Sequence, residues 1–321
     1  MRTLVVVTGA GGLIGGYVAK SLAARNVHVI GVVRKVSPEY SNAAPDVEWV
    51  EWNILSEDVP ERLREVIPDL VYHAATANDI VSRDREAGYR LSLFGTNRVF
   101  EWAKSVGANR FLFLSTFQVY GQELQGQISE ETKPELNNDY GLNHHFGELF
   151  LELRAKEHEI GVVALRPTNV YGVPWCSKVN RWTLVPMCFC RDAIMHQSIE
   201  IRSSGRQMRN FVHLSRLAIA AESALDQDLQ GFQILNVASP HQHSIREVAE
   251  RVKEQYSRMF NSDLIIDIQS DEPTVSNEFR VLGESWDRFT QAGSRFDDQV
   301  DQLSSVIKET LERIRSWDRA L

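Results

Sequence analysis

Residues 140 to 148 read YGLNHHFGE. On a helix, positions four apart stack one above the other, so Tyr140, His144 and Glu148 would share a face. What a phenol beside an imidazole does depends on what the rest of the chain builds around them. Tyrosine titrates near 10 and histidine near 6.5 when unperturbed, and a neighbouring charge or donor brings a phenol within reach of neutrality. His145 falls off that face and reads as solvent-exposed. A second chemical signal is TGAGGLIGG, residues 8 to 16, directly after an apolar run at residues 4 to 7. Gly9, Gly12 and Gly15 have the spacing that turns a chain tightly, lets backbone approach a pyrophosphate and packs a helix close on its strand. A strand before and a helix after are the context that makes such a pattern informative. At the end of the second apolar run, where a carboxylate would hold the ribose hydroxyls of NAD, stands Val33, followed by Arg34 and Lys35. Arginine there accommodates a 2′-phosphate, so NADP is favoured and NAD possible.

These residues need a scaffold, and the chain has the composition for one. Of 321 residues, 43% are hydrophobic and 24% charged, enough for one large core and a smaller lobe. A net charge of -8 and a pI near 5.7 argue against a nucleic-acid groove or a polybasic membrane surface. Three cysteines, Cys176, Cys188 and Cys190, make a disulfide framework an unsuitable reading and a reducing cytoplasm the better one. Cys188 and Cys190 lack a second pair at ligand spacing, so no metal site is expected. The apolar run at residues 4 to 7 breaks into glycines too soon for a signal peptide or membrane span.

Apolar β-branched runs alternate with helical spacing through TLVVVTGAGG, LIGGYVAKSLAARN, VHVIGVV, VEWVEW, an acidic helix pattern at residues 57 to 66, DLVYHAA, a long helix around LFGTNRVFEWAKSVG, RFLFLST, the Tyr140 stretch and GVVALRPTNVYG. Such alternation implies right-handed βαβ crossovers and an α/β, Rossmann-type doubly wound parallel sheet. Beyond residue 172 the spacing loosens. The expected division is a dinucleotide-binding domain over 1–172 and a smaller C-terminal substrate-binding lobe over 173–321, whose chain can return once to the sheet. A charged amphipathic helix is expected over residues 297 to 317. Trp49 and Trp52 read as sheet-edge packing.

TGAGGLIG, HAA at 73 to 75, LSTFQVYG at 114 to 121, YGLNH at 140 to 144, LRPTNVYG at 165 to 172, GRQMRNFVH at 205 to 213 and LNVASP at 235 to 240 together resemble the extended short-chain dehydrogenases, the nucleotide-sugar epimerase and dehydratase group. The resemblance implies a cofactor site at Gly9, Gly12, Leu13, Ile14, Gly15, Arg34, Asn53, Ile54, Ala74, Ala75, Tyr140, His144 and Pro167. It implies that Thr116 hydrogen-bonds a substrate oxygen, that Tyr140 exchanges a proton with a sugar hydroxyl or ketone, and that Asn169 and Arg209 bind substrate with Thr116, Arg209 at the nucleotide diphosphate; Arg181 joins the substrate-binding candidates on its own position beside tryptophan. It further implies an epimerase or reductase acting on a nucleotide-linked sugar, and a homodimer through helices at 84 to 106 and 139 to 157.

The chain also departs from the group. Ser92 and Asn53 stand where the family has Asn and Asp. Phe117 and Gln118 replace the Asp-Glu pair that 4,6-dehydratases need for eliminating water, so that activity is not expected. His144 replaces the lysine whose fixed charge lowers the tyrosine's proton affinity and whose ammonium binds the nicotinamide ribose. Three readings follow: His144 takes over the lysine's task, charged when phosphates and Glu148 are near; His144 or His145 is itself the acid or base; or the protein only binds dinucleotide or nucleotide-sugar. In the second lobe, Lys178 and Arg181 beside Trp175 and Trp182 read equally as a phosphate clamp with a stacking platform and as a half-buried junction.

Overall fold

The computed structural model describes residues 2–270, 279–290 and 302–318. Seven strands, β1 (Leu4–Thr8), β2 (His28–Val33), β3 (Val47–Glu51), β4 (Leu70–His73), β5 (Arg110–Leu114), β6 (Gly161–Pro167) and β7 (Phe232–Val237), form one sheet in the order 3-2-1-4-5-6-7. Every neighbouring pair is parallel. The strands are continuous apolar runs because both faces are covered. Helices α1 (Leu13–Ala23) and α4 (Leu214–Leu225) pack on one face; α2 (Thr96–Ser105) and α3 (Asp139–Glu157) pack on the other. Trp49 and Trp52, an odd number of residues apart, lie in the cores of opposite faces.

β7 comes from beyond residue 172, so sheet and second lobe interleave in the sequence. The lobe is built on a three-stranded sheet of Asn169–Tyr171, Met208–His213 and Gln242–Ser244, with a two-stranded pair of Ser198–Ile201 and Ile265–Ile268. Helix Gln302–Asp318 packs its Leu303, Val306, Ile307, Leu311 and Ile314 against helices Met187–His196 and Ile245–Phe260. Residues 297 to 301, where that helix was expected to start, lie outside the described residues.

Two helix expectations are corrected. Only Glu61–Arg64 of residues 57 to 66 is helical, because Pro60 occupies the N-cap and admits no helix through it. The long helix around residues 93 to 107 begins as a π-helix, Arg90–Gly95, and becomes α2 only at Thr96. Among the described residues no helix is long and apolar enough to cross a membrane. Cys176, Cys188 and Cys190 are unpaired.

Candidate active site

Strand order reverses between β1 and β4, and ligands of such sheets lie in the crevice beyond the strand ends at that point. Here a cleft of about 1620 Å³ opens there. Gly9 has φ +69°, and a Cβ on it would lie 2.6 Å from the Ala74 carbonyl carbon and the Ala75 nitrogen. A Cβ on Gly15 would lie 2.5 Å from the Gly9 carbonyl oxygen. The first glycine therefore passes the turn beneath the end of β4, and the third brings α1 against the turn. Gly12, the N-cap of α1, offers no side-chain cap, which leaves the first amides of the helix to an anion. Leu13 and Ile14 border the same cleft, as do Arg34 at the end of β2, Asn53 and Ile54 beyond β3, Ala74 and Ala75 beyond β4, and Pro167 at the end of β6. This cradle fits a dinucleotide, the uncapped α1 amides being suited to its phosphates.

One wall of the cleft was only half legible in the sequence. Residues 175 to 181 cross from the β2 end to the β4 end. Trp175 donates its indole N–H to the Gly12 carbonyl at 2.8 Å and stacks on Trp49 at 5.7 Å and 11°. Gly16 makes room for it, since a Cβ there would meet the indole at 2.1 Å. Lys178 Nζ donates to Ser37 Oγ at 3.0 Å and lies 3.7 Å from Glu39. Arg181 Nη2 pairs with Asp79 Oδ1 at 2.7 Å. Trp175 is thus a packing residue, and the two cations are held by the nucleotide domain.

Tyr140 and His144 lie on α3, whose start is set by Asn138 accepting the Gly141 amide at 2.8 Å. Their rings meet edge to face, centroids 4.7 Å apart. Both border the cleft with Thr116, the residue at which β5 gives way to a short 3₁₀ turn. Burial pushes the Tyr140 phenol above its ordinary range; the Thr116 hydroxyl and Arg181 pull it down, and Asp79 pushes it up. His144 is buried, its Nε2 3.1 Å from the Ala77 carbonyl oxygen. Burial lowers it to about 4, against the weaker opposing pull of Glu148. At neutral pH it is an uncharged imidazole donating to Ala77. Glu148, whose charge would favour a cationic His144, is itself committed to another partner.

That commitment is a buried ion pair. Arg166 on β6 grips Glu148 with two bonds, Nε to Oε1 at 2.8 Å and Nη2 to Oε2 at 2.7 Å. Ser115 Oγ donates to Glu148 Oε1 at 2.5 Å, and Arg166 Nη1 reaches the Tyr120 hydroxyl at 2.7 Å. Burial alone would raise the Glu148 carboxyl; Arg166, His145 and Ser115 overrule it and hold it down at about 2. Removing one partner of such a pair costs about 3–5 kcal/mol by leaving the other charge buried alone. His145 is a correction: its Nδ1 lies 3.1 Å from Glu148 Oε2 with the side chain 19% exposed, so it closes this network and does not face solvent.

Toward the second lobe the cleft is bordered by Asn169 and Arg209. Asn169 donates Nδ2 to the Asn210 carbonyl at 2.9 Å. Arg209 donates Nη1 to the Met208 carbonyl at 2.9 Å, and among the described residues no carboxylate lies within ion-pair distance of it. Phe117 is buried against Tyr120 and Phe279, and Gln118 turns to the cleft.

The sequence profile of the NAD dependent epimerase/dehydratase family matches residues 5–238. The chain is 24% identical over 317 residues to a putative UDP-glucose 4-epimerase of Methanocaldococcus jannaschii, covering 98% of each chain. It is 28% identical over 262 residues to a dTDP-4-dehydro-6-deoxy-D-allose reductase of a Streptomyces species, covering 77% of this chain and 79% of that one. The solved structure of UDP-N-acetylglucosamine 4-epimerase from Methanobrevibacter ruminantium M1, in complex with UDP-N-acetylmuramic acid, aligns with a TM-score of 0.81 at 19% identity, covering 98% and 99% of the two chains.

Proposed function

Because the chain belongs to the NAD dependent epimerase/dehydratase family, we propose that it is an epimerase acting at a hydroxyl carbon of a nucleotide-linked sugar. The observation that carries this reading is the convergence of Thr116, Tyr140 and Arg209, which no carboxylate pairs among the described residues, on one cleft that fits a dinucleotide. Bound NAD or NADP would supply the hydride acceptor and donor. Tyr140 would take the hydroxyl proton as the carbon is oxidised and return it after the sugar presents its other face, with Thr116 hydrogen-bonding the same oxygen. Arg209 suits the diphosphate, since a guanidinium without a carboxylate partner is available to phosphate oxygens.

Epimerisation returns the cofactor unchanged, and a cofactor that is never consumed has no need to leave. The crossing at residues 175 to 181, tied to Gly12 and Ser37 at one side and Asp79 at the other, opposes exchange and supports epimerase over reductase. Reduction of a keto sugar is the second reading, favoured by Arg34 and Lys35 at the β2 end. Lys178 joins them from the second lobe and supports acceptance of NADP beside NAD. Elimination of water is disfavoured because Phe117 and Gln118 carry no acid or base. A protein that binds dinucleotide and nucleotide-sugar without turnover is the alternative to any enzyme, and the uncharged His144 favours it. We place the protein in the cytoplasm, as its unpaired cysteines suggest, and read it as a homodimer through α3 and the helix before it.

The test is turnover of nucleotide-sugars by the purified protein with its co-purifying dinucleotide, beside Tyr140→Phe. An epimerase retains cofactor and loses at least about 100-fold in rate with the phenylalanine. Bound cofactor without turnover in the wild type would leave only the binding protein.

A further inference from the structure

We infer that Arg181, reaching in from the second lobe, supplies the positive charge at the Tyr140 phenol that His144 does not. This rests on the reading of Tyr140 as the proton carrier. Position 144 is where α3 can present a charge to the phenol, yet its imidazole is buried, bonded to the Ala77 carbonyl and uncharged at neutral pH. A phenol half-buried beside only neutral groups would hold its proton too tightly to act as a base.

Among the cations bordering the cleft, Arg34, Lys35 and Lys178 stand at the β2 end, Arg90 is beside Glu86, and Arg209 lies in the second lobe. Arg181 is different. Its guanidinium is 19% exposed, Nη2 is ion-paired at 2.7 Å with Asp79 Oδ1, and Nη1 is buried with no hydrogen-bond partner among the described residues. Asp79 sits two residues beyond Ala77, so the same short segment that takes the His144 hydrogen bond also holds the arginine in place. The charged groups acting on Tyr140 are Arg181 and Asp79, and the attraction of Arg181 for the phenolate exceeds the repulsion from Asp79. Arg181 borders the same cleft as Tyr140, and the succession Arg181, Asp79, Ala77 and His144 ends against the phenol ring. Arg181 is a positioning residue here, acting through Tyr140 and not on the substrate.

The experiment is an absorbance titration of Tyr140 in the cofactor-free protein, taken as the difference between each protein and its Tyr140→Phe counterpart. Arg181→Gln moves the titration to higher pH, Arg181→Lys leaves it near wild type, and Asp79→Asn moves it to lower pH. An unmoved titration in both Arg181→Gln and Asp79→Asn overturns the assignment. If Arg181→Gln does not fold, Asp79→Asn decides alone: a downward move supports the proposal, and no move or an upward one overturns it. Where turnover is measurable, the alkaline limb of the rate profile in Arg181→Gln follows the titration, with a loss of roughly tenfold at neutral pH. Absence of turnover in the wild type would count against the proposed enzyme but not touch this titration, so the two ideas fail separately.

Discussion

The ring of Tyr140 meets the ring of His144 edge to face at 4.7 Å and 74°, while the far nitrogen of that imidazole is taken by the Ala77 carbonyl. The histidine therefore braces the phenol against the end of β4 as a neutral group. It does so from the position at which the family resemblance implies a lysine.

His144→Lys should place an ammonium beneath the phenol, where the Ala77 carbonyl can accept one of its protons. The rate optimum is expected to move to lower pH, with about a tenfold gain at neutral pH, and thermal stability to fall because a second cation joins Arg181 in a buried space. Rate profiles and melting of the two proteins check this. An unchanged optimum would mean that position 144 does not set the phenol's proton affinity.

Arg34→Glu should discriminate between the two dinucleotides. A 2′-phosphate at the β2 end would lose one charged partner and meet a like charge, weakening NADP by roughly tenfold or more while NAD changes little. Lys178→Met should act in the same direction to a smaller extent. Titration calorimetry with both cofactors decides; equal losses for NAD and NADP would place the 2′ position away from Arg34.

Phe94, Leu149 and Leu153 are 62%, 50% and 52% exposed on the adjoining segments Arg90–Gly95 and α3. Large apolar side chains so placed suit an interface between two copies of this chain. Sedimentation should show a dimer at micromolar concentration, and Leu149→Asp should dissociate it. A wild-type monomer at that concentration sinks the idea.

Stability should fall on mild acidification. Burial holds His73, set between the Thr8 and Thr96 hydroxyls, at about 3 and His144 at about 4, against roughly 6.5 for the unfolded chain. Between those values the unfolded chain binds more protons than the folded one, so stability is full above about pH 6.5 and is lost as pH falls toward 4. The loss is on the order of a few kcal/mol, at about 1.4 kcal/mol per unit. Urea midpoints across this range measure it, and His144→Gln should flatten the slope. A midpoint independent of pH would show these imidazoles to be free to charge.

What the sequence determined by itself is what depends on neighbours along the chain. The turn at Gly9, Gly12 and Gly15, the alternation that builds the parallel sheet, and the common helix face of Tyr140 and His144 all follow from local spacing, because helix and strand periods are properties of a few consecutive residues. The charge on His144 is not local: it is set by the depth at which α3 lies against the sheet. Nor is the partner of Glu148, which α3 presents one turn beyond His144 but which Arg166 claims from β6. The return of β7 to the sheet, the crossing at residues 175 to 181 and the meeting of Asp79 with Arg181 join segments far apart in sequence. These were decided by tertiary structure alone, since burial and long-range ion pairs arise only when packing brings distant segments into one low-dielectric space.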